Sequence, residues 1–282
     1  MKIYIFGYTG MLGAYVNSHF KNKGYEVIGF NRNHLDIAKS DLGEFQLQAF
    51  LYNKRVERGD VVINCTGTIK SMIDKHGTLT AIKVNSLFPH LLANVCEKMG
   101  CKLIFVTTDC VYFGKDGNYT EDFPHDCTDV YGKSKSLGEP ENCTVIRTSI
   151  IGEEVKTNRS LIEWVKSQEG NTIKGYTNHH WNGVTCYQLA KVFEDIVKNN
   201  KYWNGVRHIF SPKAVNKYEL VKMIIDAHNL DIVVVPFETP AKCDRTLSTI
   251  YFDAEDTFSS TFNIPGIITQ LKEQTNNPPY IE

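Results

Sequence analysis

Three glycines at three-residue spacing, placed directly after an apolar strand, constrain this chain more than any other feature. Lys2–Phe6 reads as a buried strand and Gly7-Tyr8-Thr9-Gly10-Met11-Leu12-Gly13 follows at once. Met11, Leu12, Tyr15, Val16 and Phe20 then recur at helical spacing. Gly24 closes that helix and Tyr25–Phe30 returns as a second strand, so the opening predicts one βαβ unit. In such a turn the first glycine permits the tight bend, the second lets backbone approach a pyrophosphate, and the third allows close helix–strand contact. The helix N-terminus adds free N–H groups and the positive end of its dipole. Gly7, Thr9, Gly10, Met11, Leu12 and Gly13 are therefore the expected dinucleotide loop.

The rhythm continues through the first half. Phe45–Tyr52, Ala81–Met99 and Val130–Leu137 read as helices, and Val61–Asn64, Leu103–Val106 and Thr144–Ile146 as strands. Strands alternating with helices predict a doubly wound parallel sheet covered on both faces, an α/β fold of Rossmann-like type. Beyond about residue 151 the pattern loosens. Ser160–Ser167, Tyr187–Val197 and Lys217–His228 read as helices, with short strands near His208–Phe210 and Ile232–Val234. We expect residues 1–150 to form the dinucleotide-binding domain. Residues 151–282 form a smaller C-terminal substrate-binding α/β domain, some of whose segments return to the first.

Composition excludes several classes of function. With 31 Lys+Arg against 32 Asp+Glu, the net charge of −1 offers no broad footprint for nucleic acid or an anionic membrane. Apolar runs such as Val61–Ile63 and Ile232–Val235 fall far short of the ~20 residues that span a bilayer. The N-terminus reads as a strand and not as a secretion signal. The eight cysteines show no CxxC pair, so reduced thiols in a cytoplasmic protein are expected and a metal site is not. Adjacent His179 and His180 point apart in extended backbone, which also argues against a metal. The stretch Tyr176–Gly183 reads instead as a substrate-lining loop, with Asn178 or Trp181 touching sugar or base.

A second constellation lies downstream. Tyr131 and Lys135 fall one turn apart on a predicted helix. A phenol of pKa ~10 needs a nearby cation to shuttle protons near neutral pH, and Lys135 is expected to supply it while also holding a nicotinamide ribose. Thr107-Thr108-Asp109 ends the preceding strand at the edge where open α/β sheets bind ligands. A hydroxyl there, Thr108 before Thr107, can donate to a carbonyl oxygen as it becomes an alkoxide.

The Gly-x-x-Gly-x-x-Gly spacing resembles the extended short-chain dehydrogenase/reductase superfamily. That likeness implies an adenine contact at Asp36-Ile37 and cofactor contacts from Cys65-Thr66-Gly67, Asn85 and Thr107. The second strand ends in Phe30-Asn31-Arg32, where NAD-preferring relatives carry an acid. A guanidinium there suits a 2′-phosphate, so NADPH is the expected cofactor and NADH the alternative. Read blandly, Arg32 is a solvated loop residue.

Within that superfamily the chain is similar to the dTDP-4-dehydrorhamnose reductase-like enzymes. The likeness rests on Thr107–Tyr112, Tyr119-Thr120-Glu121-Asp122, Val130–Lys135 with Gly138-Glu139, and Arg147-Thr148-Ser149. It implies hydride transfer from NADPH to C4 of a UDP- or dTDP-linked 4-keto-6-deoxyhexose, with Thr108, Tyr131 and Lys135 catalytic. Asp109 and Cys110 would line the sugar, Arg245 would meet the phosphates, and a homodimer is a form common among such enzymes. Cys110 departs from the simple reductases, which commonly carry an aromatic residue there, and matches bifunctional epimerase-reductases. Those pair the cysteine with a downstream lysine, for which Lys166 is the nearby candidate without a clean match. Coupled C3 epimerisation therefore stays open, as do a dinucleotide-retaining epimerase or dehydratase and a non-catalytic NADP-binding regulatory subunit.

Overall fold

The computed structural model of the chain describes residues 1–39, 41–253, 256–257 and 262–281. Its first half runs β1 (Ile3–Phe6), α1 (Met11–Asn22), β2 (Val27–Phe30), α2 (Glu44–Asn53), β3 (Val61–Asn64), α3 (Lys70–His76), α4 (Thr78–Ala81), a π-helical turn (Ile82–Leu87), α5 (Phe88–Met99), β4 (Lys102–Thr108), a 3-10 turn (Asp109–Val111), α6 (Val130–Ser136) and β5 (Thr144–Thr148). There follow β6 (Ile150–Ile151), α7 (Leu161–Lys166), β7 (Thr172–Tyr176), β8 (His179–Trp181), β9 (Val184–Thr185), α8 (Cys186–Lys198), β10 (Gly205–His208), β11 (Val215–Asn216), α9 (Lys217–His228), β12 (Val233–Phe237), β13 (Cys243–Asp244) and a C-terminal helix, Ile267–Thr275.

Six strands form one parallel sheet in the order β2-β1-β3-β4-β5-β10. Their alternation explains both covered faces. Ile3, Ile5, Val61, Ile63, Ile104, Val106 and Ile146 point to the side closed by Tyr15, Val16 and Phe20 of α1 and Leu189, Phe193 and Ile196 of α8. Tyr4, Phe6, Val62, Leu103, Phe105 and Val145 point to the side closed by Leu47 and Leu51 of α2 and Phe88, Leu92 and Val95 of α5. Each such side chain, fully buried, contributes roughly 1.5–3 kcal/mol. The chain reverses direction across the sheet between β1 and β3, which opens a crevice above their C-terminal ends. The expected parallel α/β sheet is thus present.

A separate apolar cluster holds the remainder together. It joins Ile162 and Val165 of α7, Ile173, Trp181 and Val215 to Leu220, Ile224 and Ile225 of α9 and Leu271 of the last helix. Here β7 pairs with β12 in parallel, and β8 lies between β11 and β13. The segment after β13 crosses back to the loop after β4, where Tyr119 bridges Leu247 and its N–H donates to the Thr246 carbonyl at 2.9 Å.

Four local readings change. The stretch 81–99 is not one α-helix, because Pro89 has no N–H to donate to the Asn85 carbonyl four residues earlier. The chain widens there into the π-helical turn, with the Phe88 N–H reaching back five residues to the Lys83 carbonyl. Lys70–His76 is an unexpected helix, ended by Gly77 at φ +83°. Residues 176–183 are not a loop throughout, since His179–Trp181 is the middle strand of a small sheet. The strand expected at His208–Phe210 is displaced to Gly205–His208.

Candidate active site

Gly7 turns the chain at φ +80°, a left-handed conformation that glycine adopts without strain. A Cβ on Gly13 would collide with the Gly7 carbonyl, so α1 lies hard against the loop. The N-cap of α1 is Gly10, which offers no side-chain cap, and the first turn holds no acid. The first N–H groups of the helix therefore stay open to an anion. Across the crevice, a Cβ on Gly7 would stand 3.2 Å from the Cys65 carbonyl. Glycine loop and β3 end together fit a dinucleotide.

The other expected cofactor residues differ in how available they are. Arg32 is exposed at the end of β2 and makes no hydrogen bond or ion pair among the described residues. Asn31 Oδ1 accepts from the Asn33 N–H at 3.0 Å, and Asp36 Oδ1 accepts from the Ala38 N–H at 3.2 Å, so both shape the turn after β2. Ile37 is half-buried beside them. Thr66 donates to Asn64 Oδ1 at 2.6 Å. Asn64 Nδ2 and Thr107 Oγ1 are buried without partners at the ends of β3 and β4. Asn85 has little left to offer a ligand: its Oδ1 accepts from the Thr68 N–H at 2.8 Å, and its Nδ2 donates to the Thr68 carbonyl and Ser134 Oγ, each at 3.0 Å. It ties the post-β3 loop to α6.

The end of β4 and the start of α6 are built as one piece. Thr108 Oγ1 accepts from the Cys110 N–H at 3.2 Å and closes the 3-10 turn. Asp129 caps α6 by accepting from the Gly132 N–H at 2.9 Å and pairs with Lys70 at 2.8 Å. Gly132 rests on the Cys110 carbonyl. The phenol of Tyr131 consequently lies beside Thr108 and Cys110, where burial first, then the neighbouring thiol, raises its pKa against the Thr108 hydrogen bond. Lys135 is 5% exposed. Its ammonium donates to the Val106 carbonyl at 3.4 Å and lies 3.4 Å from where a Cβ on Gly67 would stand. Burial lowers its pKa to about 8, opposed by Glu139 and Cys65.

Burial and the neighbouring Cys110, Asp109 and Asp129 disfavour the ionised phenol, and the Thr108 hydroxyl favours it. Lys135 lies beside the Val106 carbonyl, Gly67 and Cys65, and Tyr131 beside Thr108 and Cys110.

Around the thiol the picture also shifts. Cys110 is pushed up to about 12, first by burial and then by Asp109. Arg245 donates Nε to the Tyr112 carbonyl at 2.8 Å and an Nη2 proton to the Phe113 carbonyl at 3.1 Å, leaving Nη1 4.0 Å from Cys110 Sγ. The Arg245 guanidinium thus stands over the strand end. Lys166 is not the partner of Cys110, because it is engaged with Glu153. Lys217, expected only as the first residue of a helix, acts electrostatically on Asp109 and Cys110 instead. Asn178 is engaged within the fold: its amide donates to the Thr239 carbonyl at 2.7 Å and accepts from the Thr239 N–H at 3.2 Å. Trp181 is 4% exposed, its ring covered by the Lys217 ammonium at 5.3 Å.

Behind the site lies a polar hub. Arg147, 2% exposed, forks onto Glu139 and donates to Tyr112 Oη at 2.6 Å, His125 Nε2 at 2.7 Å and His208 Nε2 at 2.9 Å. His125 Nδ1 then donates to Ser136 Oγ at 2.7 Å, and His208 Nδ1 to the Ser248 carbonyl at 2.6 Å. The hub joins β5, α6 and the segment carrying Arg245. Arg147 and Glu139 were visible in the sequence as part of the family likeness; the two histidines carried no local signal.

A family profile described as the RmlD substrate binding domain matches residues 1–248. The chain is 25% identical over 255 residues to methionine adenosyltransferase 2 subunit beta of Danio rerio, covering 81% of this chain and 74% of that one. It is 23% identical over 264 residues to the spore coat polysaccharide biosynthesis protein SpsK of Bacillus subtilis (strain 168), covering 87% and 86%. Its fold superposes on a dTDP-4-dehydrorhamnose reductase of Bacillus anthracis solved with NADP, with a TM-score of 0.77 over 98% of both chains at 19% identity. Among the described residues no helix is long and apolar enough to cross a membrane.

Proposed function

This chain belongs to the RmlD substrate-binding family, and on that premise we propose that it is an NADPH-dependent oxidoreductase acting on a nucleotide-linked (UDP or dTDP) 4-keto-6-deoxyhexose. The observation that carries this reading is the convergence of Thr108 and Tyr131 on one strand end, with Lys135 beside them and the open glycine loop across the crevice. The glycine loop holds the pyrophosphate, Arg32 meets the 2′-phosphate, and Lys135 holds the nicotinamide ribose. Bound NADPH supplies a hydride equivalent to the C4 carbonyl carbon. The Thr108 hydroxyl, whose proton goes to Asp109 Oδ1 at 3.2 Å in this structure, turns to donate to the carbonyl oxygen once substrate is bound. Tyr131 transfers its phenolic proton to that oxygen as negative charge builds there, and regains a proton from solvent. Burial keeps the phenol protonated at neutral pH, the form this transfer needs, and the Thr108 hydrogen bond works against the rise that burial causes. Inversion at C3 would require Cys110 as thiolate, and its burial beside Asp109 opposes that form; we therefore place reduction without inversion first.

Consumption of NADPH by purified protein, tested on a small panel of UDP- and dTDP-linked 4-keto sugars, checks the reading. Tyr131→Phe should lower turnover by about 10²–10⁴ and leave NADPH binding within twofold. A Tyr131→Phe protein as fast as the parent would remove the phenol from the chemistry.

A second reading is favoured by five relatives, from fish to mammals, whose shared name makes each a subunit of an adenosyltransferase. On that reading the chain is a dinucleotide-binding regulatory subunit. Co-purification of a stoichiometric partner together with no turnover on any keto sugar would select it.

A further inference from the structure

Two cations face the sugar end of the crevice without a carboxylate partner. β8 pairs antiparallel with β11 (Trp181 opposite Val215) and parallel with β13 (Cys243 opposite His179). Lys217 follows β11 and Arg245 follows β13, so the registers set Lys217 opposite His179 on one side of β8 and Arg245 opposite Trp181 on the other, and the Lys217 side chain reaches back over the Trp181 ring. The Lys217 ammonium lies 5.3 Å from the centre of the Trp181 ring. Arg245 is fixed by two backbone carbonyls, with Nη1 left 4.0 Å from Cys110 Sγ. Among the described residues neither cation has an ion pair within 4.0 Å. Asp129, the other acid near Arg245, is taken by Lys70 at 2.8 Å. Both cations act electrostatically on Asp109, which is buried and holds a hydrogen bond from Thr108 at 3.2 Å.

We infer that Lys217, Arg245 and Asp109 seat an N-acylamino substituent of the hexose, so that the substrate is a nucleotide-linked N-acylamino keto sugar. This rests on the keto-sugar reading above. Two donors that cannot accept, next to one carboxylate that cannot donate, match a group presenting a carbonyl oxygen and an N–H a short distance apart. An amide does so. A sugar carboxylate would satisfy the cations and set an anion against Asp109. A hydroxyl presents its donor and its acceptor at a single oxygen, whereas an amide separates them onto two atoms. An unpaired ammonium beside a buried carboxyl is costly until a ligand supplies its missing hydrogen bonds, which concentrates discrimination at this point.

The test compares UDP-linked 4-keto-6-deoxyhexoses that differ only in acetamido or hydroxyl at C2, in the parent and in Lys217→Met. The Asn216–Glu219 capping box that starts α9 uses no atom of the Lys217 side chain, so the substitution spares the helix. We expect kcat/KM in the parent to favour the acetamido sugar by at least tenfold, and Lys217→Met to reduce that ratio to within about twofold of unity. Equal kcat/KM on both sugars in the parent, or a ratio unmoved by Lys217→Met, overturns the inference while leaving the reductase reading intact. If neither sugar is reduced with UDP or with dTDP as the nucleotide, that reading fails, and calorimetric titration of NADP⁺-loaded protein decides the inference alone. A tenfold tighter Kd for UDP-N-acetylglucosamine than for UDP-glucose, lost in Lys217→Met, supports it, and equal Kd values overturn it.

Discussion

Gly132, on the first turn of α6, packs against the backbone carbonyl of Cys110 with no space for a Cβ between them. This contact sets how far Tyr131 stands from Thr108, because both residues belong to the two backbone segments it joins. The Asp129 cap fixes the rotation of the same turn. Placement of the phenol is therefore a backbone property and not a side-chain adjustment.

Gly132→Ala should accordingly cost activity more than stability. Overpacking of this kind costs about 1–3 kcal/mol, whereas a displacement of ~1 Å at a reacting group can cost about 10²-fold in rate. We expect kcat to fall by at least tenfold with the protein still cooperatively folded. Parallel measurement of kcat and Tm checks this, and an unchanged kcat would show that the phenol is positioned by something else.

Gly13→Ala addresses the other wall of the crevice. A methyl at residue 13 meets the Gly7 carbonyl, so loop and helix must separate. The first-turn N–H groups then lose their aim at the pyrophosphate. NADPH affinity, followed by nucleotide fluorescence, should weaken at least tenfold. Tyr131 and Thr108 lie outside the disturbed segment, so a loss confined to kcat would contradict the assignment of the loop.

Much of this frame was legible because it is local. Strands such as Ile3–Phe6 and Val61–Asn64 are apolar throughout, as a sheet covered on both faces requires. What was not legible depends on partners far away in sequence. Lys217 is one lysine among many until β11 pairs with β8 and turns it over Trp181. Asn178 looks like a free polar group until Thr239, 61 residues on, occupies its amide. Pro89 did carry a local signal, since a proline four residues after Asn85 cannot complete the helical ladder there.

The Arg147 hub predicts an acid limit on stability. His208 must be neutral at Nε2 to accept from Arg147, and burial, opposed by Glu121, lowers its pKa to about 4. Because the unfolded side chain titrates near 6.5, the unfolded state binds the extra proton first as pH falls. Stability is therefore full above about pH 6.5 and declines as pH falls toward about 4. Tm measured across that window should drop. His208→Gln, which keeps an acceptor but cannot take up the proton, should flatten part of the slope. An identical slope in the variant would place the acid limit elsewhere.

Lys135 predicts an alkaline limit on cofactor affinity. Its pKa, lowered to about 8 by burial, leaves it a cation at neutral pH and increasingly neutral above that value. Binding that relies on the ammonium is present below about pH 8 and fades as pH rises. The NADPH Kd should increase between pH 7.5 and 9.5 in the parent and stay flat in Lys135→Met, at a weaker level throughout. A parent Kd independent of pH would detach the lysine from the cofactor.

Cys110 decides whether reduction is accompanied by inversion. Exchange at a carbon beside the ketone needs a base, and the thiol serves only as thiolate. Burial and the Asp109 carboxylate push its pKa up to about 12, and the Arg245 guanidinium at 4.0 Å only partly offsets them. At pH 7.5 this leaves about one site in 10⁴–10⁵ ionised, since each pH unit below the pKa is tenfold. Raising the pH by one unit should increase any exchange about tenfold. In deuterated buffer without NADPH, a 4-keto substrate should therefore take up no deuterium at C3 or C5 on the timescale of turnover at neutral pH, and Cys110→Ser should keep most of its reductase activity. Mass-spectrometric detection of uptake as fast as turnover, abolished in Cys110→Ser, would make the thiol an acid/base group and require that the bound sugar, with Lys217 and Arg245 around it, stabilises the thiolate.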